Sequence, residues 1–156
     1  MKILIMRGIP GSGKTTWLRN NHPDLFDVPW GNVDNGWCSA DHYHLKDGIY
    51  QFDPANIQNA HACCLRKFML RVVEQPYVKT VAVDNTNLTA WECAAYYYIG
   101  ELYTTDIKIV TIWTDFLVAA KRNTHGVPIE RVAQMHLTML SERLPPQWKH
   151  EMVLGE

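Results

Sequence analysis

Gly8-Ile9-Pro10-Gly11-Ser12-Gly13-Lys14-Thr15, directly behind the apolar run Ile3-Leu4-Ile5-Met6, is the stretch that decides the fold. It fits G-x-x-x-x-G-K-[ST], a loop that cradles nucleotide phosphates. Glycines Gly8, Gly11 and Gly13 let the backbone turn tightly and bring N–H groups up to phosphate oxygens. Ser12 sits among them. Lys14 adds a point charge for the β- and γ-phosphates, and the Thr15 hydroxyl suits Mg²⁺. Lys14 also opens a helical run, with Thr16 in its first turn, so free N–H groups and a positive dipole end meet the same anion. A buried-type strand before the loop and a helix after it are the context the motif needs. The stretch predicts a nucleotide site.

Outward from the loop, strands and helices alternate. The irregular segment Leu25 to Gly36 shows neither helical nor strand period and is expected to be an excursion, a lid or a substrate wall. Trp37-Cys38-Ser39 reads as the end of a second strand. Asp53-Pro54 is a helix start, with Ile57, His61, Cys64, Leu65, Phe68, Met69, Val72 and Val73 predicted inside and Arg66, Lys67 and Arg71 on the other sides. Val81 to Val83 is a third strand. Thr89-Ala90-Trp91-Glu92 is a capping box for a helix whose inner face is read as Trp91, Ala94, Ala95, Tyr98 and Leu102. Ile107 to Trp113 is a fourth strand, Phe116 to Arg122 a helix, and Pro128 starts another with Val132, Met135, His136 and Met139 inside. Met152 to Leu154 makes a short fifth strand. The pattern predicts one α/β domain over residues 1–156, with a four- to five-stranded parallel sheet, helices on both faces and a short lid. Ligands in such sheets gather at the carboxyl ends of the strands, which places Asp41, Asp84 and Asp115 beside the loop.

The bulk properties narrow the function. Across 156 residues, 47% are hydrophobic and 20% charged, which permits a sizeable core without disulfides. The formal charge of −1 argues against coating long nucleic acids, which takes many Lys and Arg contacts, but not against gripping a strand end. Four cysteines lack C-x-x-C or zinc spacing and read as reduced thiols. Without a signal-peptide pattern or a membrane-length apolar run, a cytoplasmic protein is expected.

A phosphate cradle with Mg²⁺ serves phosphoryl transfer, hydrolysis or sensing, and the acceptor side separates them. Transfer to a hydroxyl is helped by a carboxylate base and by cations that follow the moving charge. Asp41, after the second strand, is the best base candidate; the alternative is a helix cap. Asp84 is read as holding water on Mg²⁺, orienting a neighbour or making a turn. Arg122 borders the Asn123–Gly126 break, where a lid would swing it over the phosphates, and Arg131 has the same option; a solvated surface charge is the alternative for each. His42 and His44 lack the further ligands of a metal site.

Gly8–Trp17, Ser39-Ala40-Asp41, Asp84-Asn85-Thr86-Asn87-Leu88 and Lys121-Arg122-Asn123 through Val127-Pro128-Ile129 occur in one order. Together they resemble the kinase domain of polynucleotide 5′-hydroxyl kinases of the bacteriophage repair type, and the wider zeta-toxin-like P-loop kinase group, from Lys2 to about Leu144. The resemblance implies that Lys14 and Thr15, with the rest of the loop, hold ATP and Mg²⁺. It makes Asp41 the general base, Arg122 a lid residue on the donor phosphates, and Asp84, with Asn87, acceptor-side support. Two departures stand out. His44 replaces an Arg that often grips the acceptor's phosphate, and a second lid Arg gives way to Thr124-His125-Gly126, leaving His125 or Arg131 as substitutes. The expectation is an ATP-dependent kinase acting on a 5′-hydroxyl of DNA or RNA. A same-fold kinase of a small molecule or a modified base, and a non-catalytic nucleotide-binding module, are its rivals.

Overall fold

The computed structural model describes residues 1–26, 35–75 and 77–155. Its strands are β1 (Lys2–Arg7), β2 (Trp37–Cys38), β3 (Leu45–Lys46), β4 (Ile49–Tyr50), β5 (Thr80–Asp84), β6 (Ile107–Trp113) and β7 (His150–Leu154). Its α-helices are α1 (Lys14–Asn21), α2 (Ile57–Met69), α3 (Ala90–Glu101), α4 (Phe116–Arg122) and α5 (Ile129–Ser141). Five strands form one parallel sheet in the order β2-β5-β1-β6-β7, and β3 pairs antiparallel with β4 in a separate hairpin.

The apolar run of β1 lies at the centre of the sheet and is buried on both faces. Ile3 and Ile5 pack on one side with Val81, Val83, Ile107 and Ile109, under Phe68 of α2 and Tyr97 of α3. Leu4 and Met6 pack on the other with Ala82, Val110 and Ile112, against Leu18 of α1. Each such aliphatic side chain contributes roughly 1.5–3 kcal/mol of burial. A third cluster, Ile9, Leu88, Ala119, Val132 and Met139, seats α4 and α5 beside the phosphate loop. Arg7, at the end of β1, is 4% exposed and joins these parts, donating from Nη2 to the carbonyls of Leu88 (2.8 Å) and Met139 (2.9 Å).

The parallel strands and the α-helices fall where the sequence places them, the β3–β4 hairpin is additional, and the inward faces of α3 and of the α2 segment differ from the expectation. In α3 the buried residues are Cys93, Tyr96, Tyr97 and Gly100, whereas Trp91 and Leu102 are exposed. The cause is Gly100: a Cβ there would stand 2.6 Å from Ile107 Cδ1 and 2.9 Å from Ile3 Cδ1, so the glycine face is the one that approaches the sheet. Arg71, predicted outside, is 1% exposed; its Nε donates to the Asn35 carbonyl at 3.0 Å and its guanidinium also meets the Gln75 side chain. Ile57, His61, Met69 and Val73, predicted inside, are exposed; at Val73 the chain widens into a π-helical turn over Leu70–Glu74, which breaks the three-to-four spacing. Asp115 leaves the crevice to cap α4, accepting from the Leu117 N–H at 2.9 Å and the Val118 N–H at 3.4 Å. Most of the predicted Leu25–Gly36 excursion lies outside the described residues; Leu25 itself is buried at the end of a 3-10 turn from Pro23. No helix among the described residues is long and apolar enough to cross a membrane.

Candidate active site

The phosphate loop is built by backbone geometry. Gly11 has φ +78° and Gly13 φ +95°, the left-handed region that glycine enters without strain. A Cβ on Gly11 would stand 2.0 Å from the Ala119 carbonyl oxygen, and one on Gly8 2.8 Å from that of Ile112. Ser12 is buried and braces the loop from beneath, its carbonyl accepting from the Thr114 hydroxyl at 2.9 Å. The loop therefore presents backbone rather than side chains to the cleft above it. Gly13 caps α1, whose first residues are Lys14, Thr15 and the exposed Thr16.

Lys14 Nζ donates to the carbonyls of Gly8 (2.9 Å) and Ile9 (3.0 Å). Burial pushes its pKa down, and the carboxylates of Asp84 and Asp41 oppose that shift. Register brings Asp84 here: β5 runs beside β1 with Asp84 level with Met6, two residues before the loop. Asp84 Oδ2 accepts from the Thr15 hydroxyl at 2.7 Å and the Trp37 indole N–H at 3.2 Å. Burial raises the Asp84 pKa, with Lys14 and these two hydrogen bonds working the other way. The hydroxyl and carboxylate are hard oxygen donors, the set that Mg²⁺ takes, and the open backbone of the loop fits phosphate. Asp84 thus stands beside the phosphate loop, on the Thr15 hydroxyl.

Asn87 does not reach the cleft. Its amide donates to the Met6 carbonyl at 2.8 Å, it is 3% exposed, and φ is +45°. An Asn tolerates that conformation better than most residues, so it turns the chain after β5 and ties it to β1. Asn85 and Ser39 do a related job for Asp41. The Ser39 hydroxyl donates to the Asp84 carbonyl at 2.9 Å and accepts from the Asp41 N–H at 3.2 Å, while Asn85 Oδ1 accepts from the Ala40 N–H at 2.8 Å. Ser39, not Asp41, caps the 3-10 turn Ala40–His44, which leaves the Asp41 carboxylate for the cleft.

Among the described residues, Tyr50 and His125 meet the Asp41 carboxylate. The Tyr50 hydroxyl donates to its Oδ1 at 3.1 Å, and His125 Nε2 lies 3.7 Å from Oδ2. Tyr50 and His125 also pack ring on ring, with centroids 4.6 Å apart. Burial first, then Asp41, raises the Tyr50 pKa, so the phenol stays protonated and donates. Tyr50 was not among the residues singled out from sequence. The signal was present: Asp47-Gly48 takes φ +51° and +79°, the two-residue turn of a hairpin, and that turn returns Tyr50 to the cleft.

His125 comes from the loop between α4 and α5. Asn123 shapes that loop, donating to the Val127 carbonyl at 2.8 Å and accepting from the His125 N–H at 3.0 Å. Arg122 and Arg131, at its two ends, are exposed and line the same cleft, which encloses about 1300 Å³ between the phosphate loop, the hairpin and this lid. His44 lines it as well, but it is 5% exposed and stands among the rings of Tyr43, Tyr50 and Phe52 rather than as a polar loop residue. Burial lowers the pKa of His42 to about 4, Lys67 adding to the shift and Asp41 opposing it.

A sequence profile described as an AAA domain matches residues 3–136. Human NEDD4-binding protein 2 is 30% identical over 137 residues, 85% of this chain; the chain spans 7% of that protein's length. Among solved structures, a gluconokinase from Sinorhizobium meliloti 1021 superposes with a TM-score of 0.61 at 13% identity, over 99% of this chain and 82% of its own. Kti12 from Chaetomium thermophilum, in complex with ADP-AlF3, gives 0.62 at 15% identity, over 97% and 87%. A sugar kinase from Janibacter sp. HTCC2649 gives 0.60 at 18%, over 99% and 85%. With a central strand running into a phosphate loop, a flanking acid on Thr15 and a lid across the cleft, the chain belongs to the AAA domain family and has the P-loop kinase fold.

Proposed function

We propose that the protein is an ATP-dependent kinase that transfers the γ-phosphoryl group to a hydroxyl, with the 5′-hydroxyl end of DNA or RNA as acceptor. The observation that carries the reading is Asp41. Its carboxylate is held in the cleft by Tyr50, close enough to Lys14 to bear on that residue's protonation, and is not consumed by capping. A protein that only binds nucleotide has no use for such a group.

In this reading Lys14 exchanges its two loop carbonyls for phosphate oxygens, which are stronger, charged partners. Thr15 and Asp84 would hold Mg²⁺, which supplies charge neutralisation on the phosphates when bound. Asp41 takes the proton of the acceptor hydroxyl through Oδ2, while Oδ1 stays on Tyr50. The acceptor oxygen bonds to the γ-phosphorus, the bond from that phosphorus to the β–γ bridging oxygen breaks, and ADP leaves. Arg122, with Arg131 beside it on the lid, meets the charge that develops on the transferring group.

A second reading has one observation in its favour. His44 is enclosed by rings, and no Lys or Arg stands with it in the lining from residues 39–61, which suits a hydroxyl on a modified base or a small molecule. Transfer of label from γ-labelled ATP to 5′-hydroxyl DNA, 5′-hydroxyl RNA, nucleosides and base-hydroxylated DNA tests both. Labelled 5′ ends, lost in Asp41→Ala, are the expected result. Label confined to the modified base or to small acceptors supports the second reading, and no labelled acceptor of any kind sinks both.

A further inference from the structure

We infer that the hairpin side of the cleft is a stacking site for a nucleobase, with Phe52 and Tyr50 as its platform. The inference deepens the kinase reading and rests on Asp41 as the base. The cleft's cations divide unevenly. Lys14 belongs to the phosphate loop, and Arg122 and Arg131 to the lid; the lining contributed by residues 39–61 contains no Lys or Arg. Beside Ser39, Asp41 and three histidines it contains ring and aliphatic surface. Phe52 is 51% exposed, Ile57 42% and Leu45 39%, an unusual density of exposed apolar groups beside a polar site. His44 is the hub, its ring 5.1 Å from that of Phe52 and 5.9 Å from that of Tyr50.

Two of the polar side chains nearby are already committed. The Tyr50 hydroxyl is bonded to Asp41, and Asn85 is bonded to the Ala40 N–H and the Cys64 thiol. A polyol set against the Phe52, Ile57 and Leu45 part of this wall would lose hydration from its hydroxyls without matching partners there, which costs more than the apolar contact returns. A flat base needs no such partners, because every base has a π-face that stacks on an aromatic side chain. Since Tyr50 both faces the wall and holds Asp41, a base stacked there brings the hydroxyl of the same nucleotide to the carboxylate.

Three acceptors and two substitutions test the inference. The acceptors are a 5′-hydroxyl oligonucleotide with a normal terminal base, the same oligonucleotide with an abasic 5′ residue, and one with a hydroxymethylated base; the substitutions are Phe52→Ala and Phe52→Trp. Stacking is expected to favour base-bearing over abasic acceptors by about ten- to a hundredfold in kcat/KM. Phe52→Ala should collapse that preference through acceptor KM while ATP KM stays level, and Phe52→Trp should keep it. Quenching of tryptophan fluorescence in Phe52→Trp by the same oligonucleotides reads binding without turnover. Equal use of abasic and base-bearing acceptors by the wild type, or equal quenching by both, overturns the stacking site and leaves the kinase standing. Base-selective quenching without transfer of phosphate to any acceptor has the opposite meaning: the stacking site holds and the kinase reading falls. The hydroxymethylated acceptor shows whether the stacked base or its neighbouring sugar carries the reacting hydroxyl, and the inference holds in either case.

Discussion

Asp41 is approached by side chains from two different elements. Tyr50 is anchored in the hairpin, and His125 arrives on the lid, its side chain 40% exposed. Loss of a general base lowers turnover by about 10²–10⁴-fold, so Asp41→Ala should fall that far with ATP affinity nearly unchanged. Tyr50→Phe keeps the ring and removes only the hydrogen bond, and a several-fold drop in kcat is expected. Single-turnover transfer on the best acceptor measures both; wild-type rates in Asp41→Ala would remove it from the chemistry. His42, next in sequence, has a different consequence. Its folded pKa of about 4 lies below the ordinary 6.5, so the unfolded chain binds the extra proton first. Stability is then full above pH 6.5 and declines as pH falls toward 4, by at most about 3 kcal/mol. Urea midpoints at pH 7, 6, 5 and 4.5 should show this decline in the wild type and a shallower one in His42→Gln. Parallel curves would mean that the imidazole is not held neutral.

At the scale of elements, what was legible depended on whether the deciding contact was local. β1, β6 and α5 could be read directly, since a continuous apolar run or a three-to-four spacing needs no partner to be recognised. The face of α3 could not, because its aromatic residues surround the helix and only Gly100 marks the side that meets Ile3 and Ile107. Arg71 was misread for the same reason: its partner, the Asn35 carbonyl, is 36 residues away and leaves no trace in the local pattern. In the site, the loop and the 39–41 turn were visible from motif spacing, whereas Tyr50 and His125 meet Asp41 only through tertiary structure. Arg71 makes a sharp test of its element. Truncating a buried guanidinium leaves a carbonyl unpaired and a cavity beneath the π-helical turn, so Arg71→Ala should cost about 2–4 kcal/mol. Arg71→Lys should recover less than half, since one ammonium cannot reach both Asn35 and Gln75 as the guanidinium does. Thermal denaturation of the two variants checks this, and a wild-type midpoint in Arg71→Ala would show the contact to be idle.

Across the whole molecule the cleft has two builders. The loop after β1, with Asp84 from β5, lines one side; residues 39–61, between β2 and the first turn of α2, line the other. Between them stand the half-buried Lys14 and the buried Asp84, charges of opposite sign, each shifted toward its neutral form by burial and held back by the other. A nucleotide with Mg²⁺ brings both charges a partner at once, so donor binding should stabilise the entire fold by mass action. At a free concentration one hundred times Kd the gain is about 2.7 kcal/mol. For a chain of this size that corresponds to a rise of about 5–10 °C in Tm. The shift should persist in Asp41→Ala and Phe52→Ala, which leave the donor side intact. It should shrink when EDTA removes Mg²⁺, because Thr15 and Asp84 then lose the ion that links them to phosphate. In Lys14→Ala it should nearly vanish at the same nucleotide concentration. Differential scanning fluorimetry with ATP and a non-hydrolysable analogue measures all four cases without any turnover. An undiminished shift in Lys14→Ala would mean that the nucleotide sits elsewhere than on the Gly8–Thr15 loop.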